Sequence, residues 1–217
     1  MKRIILLIAF IISVSGVKSQ LHVNYYVTGD ANDWQLFMSQ NLITDLDVGV
    51  KAVIITLTAG DGGNGATTFN GSSIPYYIAK ELGSVYTSKF VADLNNRFVP
   101  AFPALTYPVP TLTTANINGK SIAKYVYGNP SGVGSTVNYF LRLPDGGSSG
   151  DGFPGTGNNS LKKLKNGNIA NITSVDGVTT YTWNELLTTI YSIINLERAT
   201  DPQVWVNCAN LNTVVNQ

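Results

Sequence analysis

Histidine and cysteine are almost missing from this chain: its 217 residues include one of each, His22 and Cys208. A single cysteine excludes an internal disulfide framework. Such a residue is most often a small buried hydrophobe, the alternatives being a reactive thiol or a metal ligand. Charge is scarce as well. Asp, Glu, Lys and Arg together make up 12% and the net charge is +1. No basic surface therefore argues for nucleic acid, and no charge run marks a tail. After the first residues no apolar run reaches the ~20 residues that span a bilayer. There is also no internal repeat and no linker that would split the chain.

The N-terminus stands apart from the rest. Lys2 and Arg3 precede an apolar stretch from Ile4 to Val14, followed by small or apolar residues. With Val17 and Ser19 at the −3 and −1 positions, residues 1–19 read as a signal peptide and Gln20 as the first mature residue. The alternative is a membrane anchor, for which the stretch is short. The expectation is an exported protein, periplasmic or extracellular, with no membrane partner after cleavage and one domain over 20–217. Glycine is frequent, with 21 residues, and clusters with Ser, Asn and Thr between apolar runs, as in loops around a β-rich core.

Alternating elements follow. "LHVNYYV" reads as a strand, and "DWQLFMSQNLITDL" as a helix with apolar positions at Leu36, Phe37, Ile43 and Leu46. "KAVIITLTA" is nearly continuously apolar, as in a strand covered on both faces. The stretch "GDGGNGATTFNGSS" reads as a loop. A second helix follows it, with Ser73 as its cap and Pro75 in its first turn. This order implies an α/β protein with a parallel sheet and right-handed crossovers. Asn118-Gly119 marks a hairpin within "PTLTTANINGKSIAKYVYGN". "STVNYFLRLP" is a further strand, and Asp145 to Ser160 a long flexible loop. "TWNELLTTIYSIINLE" is a helix with a Thr182–Glu185 capping box and a buried stripe of Leu186, Leu187, Ile190, Ile193 and Ile194. "DPQVWVNCANL" is the candidate last strand.

Two familiar chemistries are excluded. Gly60-x-Gly62-x-x-Gly65 matches the dinucleotide fingerprint in form only, because Thr67, Thr68, Asn70 and Gly71 intervene before a helix can open. A Ser-His-Asp triad would need His22, but the first strand separates it from Asp30 by roughly 26 Å. What remains is an acidic corner. Ligands in open parallel sheets bind beyond the carboxyl ends of strands, where Asp30, Asn32, Asp33 and Asp61 all fall. The corner is either a metal site or a turn in which Asp33 caps the helix beginning at Trp34.

Five blocks occur in order: "YYVTGDANDWQLFM", "AVIITLTAGDGGNG", "AKELG", "YFLRLPDGG…GDGFPGTGNNSLKKLKNG" and "YTWNELLTTIYSII". Together they resemble a secreted branch of the PIG-L (LmbE-like) deacetylases, over about Val23 to Ile194. The resemblance implies a Rossmann-like parallel-sheet fold with a β-hairpin insertion, in which zinc removes acetyl groups from N-acetylglucosamine-containing compounds. Since members of the branch continue further, it also implies a chain shortened at its C-terminus. In that family a His-x-Asp-Asp motif supplies a zinc ligand, a general base and a second ligand. Carried over, the histidine falls on Asp30, the base on Asn32 and the second ligand on Asp33. Metal ligands implied here are thus Asp30 and Asp33. A later His-x-x-His motif falls at about Cys208 and Leu211, so a set of Asp30, Asp33 and Cys208 is the alternative.

An amide cannot take a proton from bound water, a step worth about 10²–10⁴ in rate. The resemblance also gives Asp61, Lys80, Arg142 and Asp145 to the sugar pocket and its lid, with Lys80-Glu81 in the place of a common Arg-Glu pair. Trp34, Phe69, Tyr76, Tyr77 and Phe153 are aromatic candidates for stacking on a sugar. The expected functions are therefore zinc-dependent deacetylation impaired by replaced ligands, or non-catalytic binding of a glycan or N-acetylated sugar.

Overall fold

The computed structural model describes residues 22–94, 109–128, 134–198 and 201–208. The signal segment 1–19 and Leu211 lie outside them. Among the described residues no helix is long and apolar enough to cross a membrane.

The architecture is α/β. Its centre is a six-stranded, mostly parallel sheet, and it is compatible with a Rossmann-like fold. Strands β1 (Val23–Thr28), β2 (Lys51–Thr58), β7 (Ser135–Leu143) and β10 (Trp205–Cys208) run parallel. The hairpin of β5 (Thr111–Ile117) and β6 (Lys120–Gly128) pairs antiparallel along β7. The expected hairpin insertion is thus the sheet's own edge. Its Asn118-Gly119 turn has φ of 53° and 73°, the left-handed pair that a tight hairpin needs.

Both faces of the sheet are covered, which is why Ala52 to Ile55 of β2 form an unbroken apolar run. Tyr25, Val53, Ile55, Val137, Tyr139 and Leu141 face helix α5 (Trp183–Arg198), packing on Leu186 and Ile193. Tyr26, Ala52 and Ile54 face the other way, toward α1 (Asp33–Phe37), α2 (Ser39–Asp47) and α3 (Tyr76–Leu94). In the sheet order β10-β1-β2-β7-β6-β5 the chain goes from β1 to β2, crosses to the far edge at β5, comes back through β6 to β7 beside β2, and then lays β10 on the other side of β1. The connections therefore reverse between β1 and β10, and open α/β sheets bind ligands outside the carboxyl ends of their strands.

Several expectations are corrected. The helix over 33–46 is two helices broken at Met38, whose φ is −133°. Trp34, Met38, Leu42 and Leu46 are all buried, whereas Leu36 and Phe37 are 71% and 55% exposed. In a straight helix residues four apart rotate about 40° per step. The break at Met38 resets that drift, so all four face the sheet.

The stretch after β2 is not a plain loop. It holds the hairpin β3 (Ala66–Phe69) and β4 (Ser72–Pro75), turned at Asn70-Gly71 with φ of 48° and 78°. Ser73 and Pro75 belong to β4 and cap nothing, since α3 opens at Tyr76. The 145–160 loop is closed by its own hydrogen bonds, among them Gly152 N–H to Gly146 O at 3.0 Å and Ser160 Oγ to Gly150 O at 2.5 Å. The loop then leads into α4 (Leu161–Lys165).

The Thr182–Glu185 box forms as expected: Thr182 N–H donates to Glu185 at 2.8 Å and Glu185 N–H to Thr182 Oγ1 at 3.3 Å. It follows the short ladder of β8 (Ile172–Thr173) and β9 (Thr180–Tyr181). Leu187 is exposed rather than part of the buried stripe, and Thr189 and Glu197 are buried instead.

Candidate functional site

The corner is assembled by three loops leaving the carboxyl ends of β1, β2 and β7. Asp30 follows β1 through Gly29. Its backbone N–H donates to Asp33 Oδ2 at 2.8 Å, and its Oδ1 accepts the Asn32 N–H at 3.3 Å. Its other carboxylate oxygen, Oδ2, meets Lys80 Nζ of α3 at 2.9 Å. Gly60, at the end of β2, lies directly against this pair: a Cβ there would come within 2.3 Å of the Asp30 carboxylate. Asp33 does not cap the helix. It is the first helical residue, its carboxylate turns back to the Asp30 amide, and burial pushes its pKa up. Asn32 holds the N-cap position without a side-chain capping bond.

Asp61 and Asp145 join the two neighbouring loops. Asp145 Oδ2 accepts the Gly62 N–H at 3.1 Å, and its Oδ1 accepts the Gly147 N–H at 2.9 Å. The Phe153 ring covers Gly63 and Gly147, where a Cβ would meet it at 2.9 and 3.2 Å. Asp61 is only 8% exposed and its Oδ1 has no hydrogen-bond partner among the described residues. Burial raises its pKa, and the charges of Asp145 and Asp30 add to the effect. Five sequence-derived positions, Asp30, Asp33, Asp61, Lys80 and Asp145, are therefore brought together.

Arg142 is placed differently. Its backbone is left-handed, with φ of 56°, beside a register shift between Thr56 and Thr58 of the neighbouring strand. The bulge aims the guanidinium at Glu81, with Nε to Oε1 at 2.6 Å and Nη2 to Oε2 at 2.8 Å. Nη1 reaches Asp176 at 2.9 Å, and the Tyr77 ring lies 5.2 Å from the guanidinium carbon. Burial works against the charge, but the bonds to Glu81 and Asp176 outweigh it and raise the Arg142 pKa. Its donors are thus largely committed to holding β7 to α3 and the 174–177 turn.

Asp176 was not among the sequence candidates. The Asp176-Gly177 pair, a turn signal, is the feature that could have found it. Trp34, a candidate for sugar stacking, is core: it is 1% exposed and its Nε1–H donates to Ser84 Oγ at 2.7 Å. His22 lies at the opposite end of β1, 3.6 Å from Asp201.

The donor set does not fit zinc. Catalytic zinc takes three protein ligands and an open position. Every His, Cys, Asp and Glu of the chain falls within the described residues. Among those residues no three gather to hold a metal ion, and Cys208, exposed and level with Val27, does not complete Asp30 and Asp33. Asp30, moreover, already carries an ammonium. Comparison of the chain with protein-family models, with curated proteins and with solved structures gives no match.

Proposed function

We propose that the protein is an exported relative of the PIG-L deacetylases whose strand-end crevice binds a glycan without hydrolysing it. The observation that carries this reading is the Lys80–Asp30 ion pair at 2.9 Å, standing where the sequence resemblance expects a zinc ligand. The Lys80 side chain takes up Asp30 Oδ2 at that point. Asn32 offers an amide where hydrolysis needs a base, and that loss alone is worth about 10²–10⁴ in rate. Around the pair the crevice keeps carboxylates and Gly-rich backbone in reach of one another. Sugar hydroxyl groups, which donate hydrogen bonds, find acceptors there.

The test uses the purified mature protein with added zinc and oligosaccharides of N-acetylglucosamine and glucosamine. Acetate release no faster than in an Asp33→Ala variant, with saturable binding of a glycan by calorimetry, is the expected result. Turnover that chelation and Asp33→Ala both abolish would restore the deacetylase reading.

A further inference from the structure

The central sheet has two edges, and they are not alike. β10 is four residues long, and so short an edge offers little backbone to a partner. β5 runs for seven residues, and among the described residues its outer side pairs with nothing. Its ladder to β6 keeps one register from Thr111 to Ile117, with no bulge to twist the edge away. The same seven residues include no charge, no proline and no glycine. Lysines, prolines and bulges are the devices that keep edge strands from pairing, and β5 carries none of them. Its side chains are open as well: Thr111, Leu112, Thr113, Thr114 and Asn116 are all exposed. The edge is nevertheless firmly held. Asn118 Nδ2 in the hairpin turn donates to Ser192 Oγ at 2.9 Å, Lys120 Nζ to Thr180 O at 2.7 Å, and Thr179 Oγ1 to Ser121 O at 2.9 Å. A strand that is already ordered loses little conformational freedom when it pairs.

We infer that β5 pairs with β5 of a second copy of this chain, antiparallel about a two-fold axis, joining two six-stranded sheets into one of twelve. A two-fold interface sets one patch against itself, so the patch has to complement itself. Threonine does this. Its hydroxyl both donates and accepts, and Thr–Thr pairs across strands are favourable where like charges face to face are not. Three of the seven β5 residues are threonine. Beside the seam, Leu112 is exposed on one face and Val126, opposite Thr111, on the other. The exposed Leu196 stands one turn of α5 beyond the Ser192 that holds the hairpin. Strand and flanking side chains together offer on the order of 400 Å² from each copy, about half of what each partner gives to a standard interface, so the dimer is a weak one. β5 runs parallel to β7. The copy's parallel strands therefore run the other way, and its corner of Asp30 and Lys80 opens at the opposite end of the joined sheet. Pairing thus stands or falls independently of the glycan-binding reading.

Sedimentation velocity of the mature protein between about 1 and about 300 µM measures the pairing, and hydrogen exchange at both ends of that range locates it. A monomer–dimer equilibrium with a Kd of about 10–100 µM is expected. The amides of 111–117 that do not bond to β6 should gain protection as concentration rises. Thr113→Lys and Thr114→Lys, one for each face of the strand, put like charges across the seam and should each weaken the dimer about tenfold or more. Neither should change the melting temperature of the dilute monomer. A protein still monomeric at about 300 µM overturns the inference, as does a dimer that both variants leave intact. Protection of every 111–117 amide in the dilute monomer also overturns it, because the chain's own residues would then cover the edge. Should a variant fail to fold, the concentration dependence of wild-type exchange decides.

Discussion

Replacing Gly60 by alanine separates backbone conformation from crevice packing. Gly60 has φ of 57°, and a Cβ there would lie 2.3 to 2.5 Å from three atoms of the Asp30 carboxylate group. Gly49 is the control: its φ is 84° and a Cβ there meets nothing within 4 Å. Gly49→Ala therefore carries only the left-handed penalty, about 1–2 kcal/mol. Gly60→Ala carries that penalty plus an overlap that has to expel the Asp30 carboxylate, about 1–3 kcal/mol for an overpacked site. It also loses the Lys80 pair, which is partly exposed at 17% and 31% and so contributes about 0.2–1 kcal/mol. Gly60→Ala should thus cost about 2–6 kcal/mol.

Urea denaturation monitored by tryptophan fluorescence gives both values, provided the m-values agree. The double variant Gly60→Ala with Asp30→Ala removes the overlapping group. It should be more stable than the sum of the single effects by about 1–3 kcal/mol. Equal costs for the two glycines, or no coupling with Asp30, would refute the claim that the carboxylate is seated on Gly60.

Two further outcomes follow from the same geometry. Arg142→Met leaves Glu81, whose side chain is 3% exposed, with a buried and unpaired charge. A loss of about 3–5 kcal/mol is expected, of which Arg142→Lys recovers only part because lysine lacks the two-pronged fork; thermal unfolding of the pair checks this. Asp61→Asn should raise the melting temperature at neutral pH. The folded state holds the Asp61 proton more tightly than the unfolded chain does. The wild-type penalty is therefore absent below the ordinary aspartate range, near pH 4, and grows as pH rises through the raised folded value. Melting curves of both proteins between about pH 3 and about pH 7 should converge at the acid end; a gap that persists there would contradict the burial argument.

Much of the fold is legible along the chain. The continuous apolar run of β2, the Asn118-Gly119 hairpin and the Thr182–Glu185 box are local signals, and each appears where its residues imply. The Asn70-Gly71 hairpin carried the same turn chemistry as Asn118-Gly119 but no alternating apolar face, with two of the four β3 residues and three of the four β4 residues exposed. It therefore reads as loop by composition. Leu36 and Phe37 satisfied a helical period, yet they are exposed because Met38 interrupts the helix and turns Trp34 to the sheet instead. A period read across a break assigns the wrong face.

The acidic corner divides the same way. Sequence by itself determined that Asp30, Asn32, Asp33 and Asp61 stand just past strand ends, and that the chain's one histidine is too far along β1 to join them. Strand periodicity and residue identity are properties of neighbours in the chain, so they need no knowledge of the fold. Only the tertiary structure decided how those groups are spent. Lys80 stands 50 positions from Asp30, and Asp176 stands 34 from Arg142. Their pairing depends on α3 and the 174–177 turn being packed against the sheet. The 145–153 loop likewise meets the loop after β2 only in the folded chain, where Asp145 accepts the Gly62 N–H and Phe153 packs on Gly63. Charge pairing and desolvation act through space, and the order of residues along a chain does not record which charges will share a buried corner.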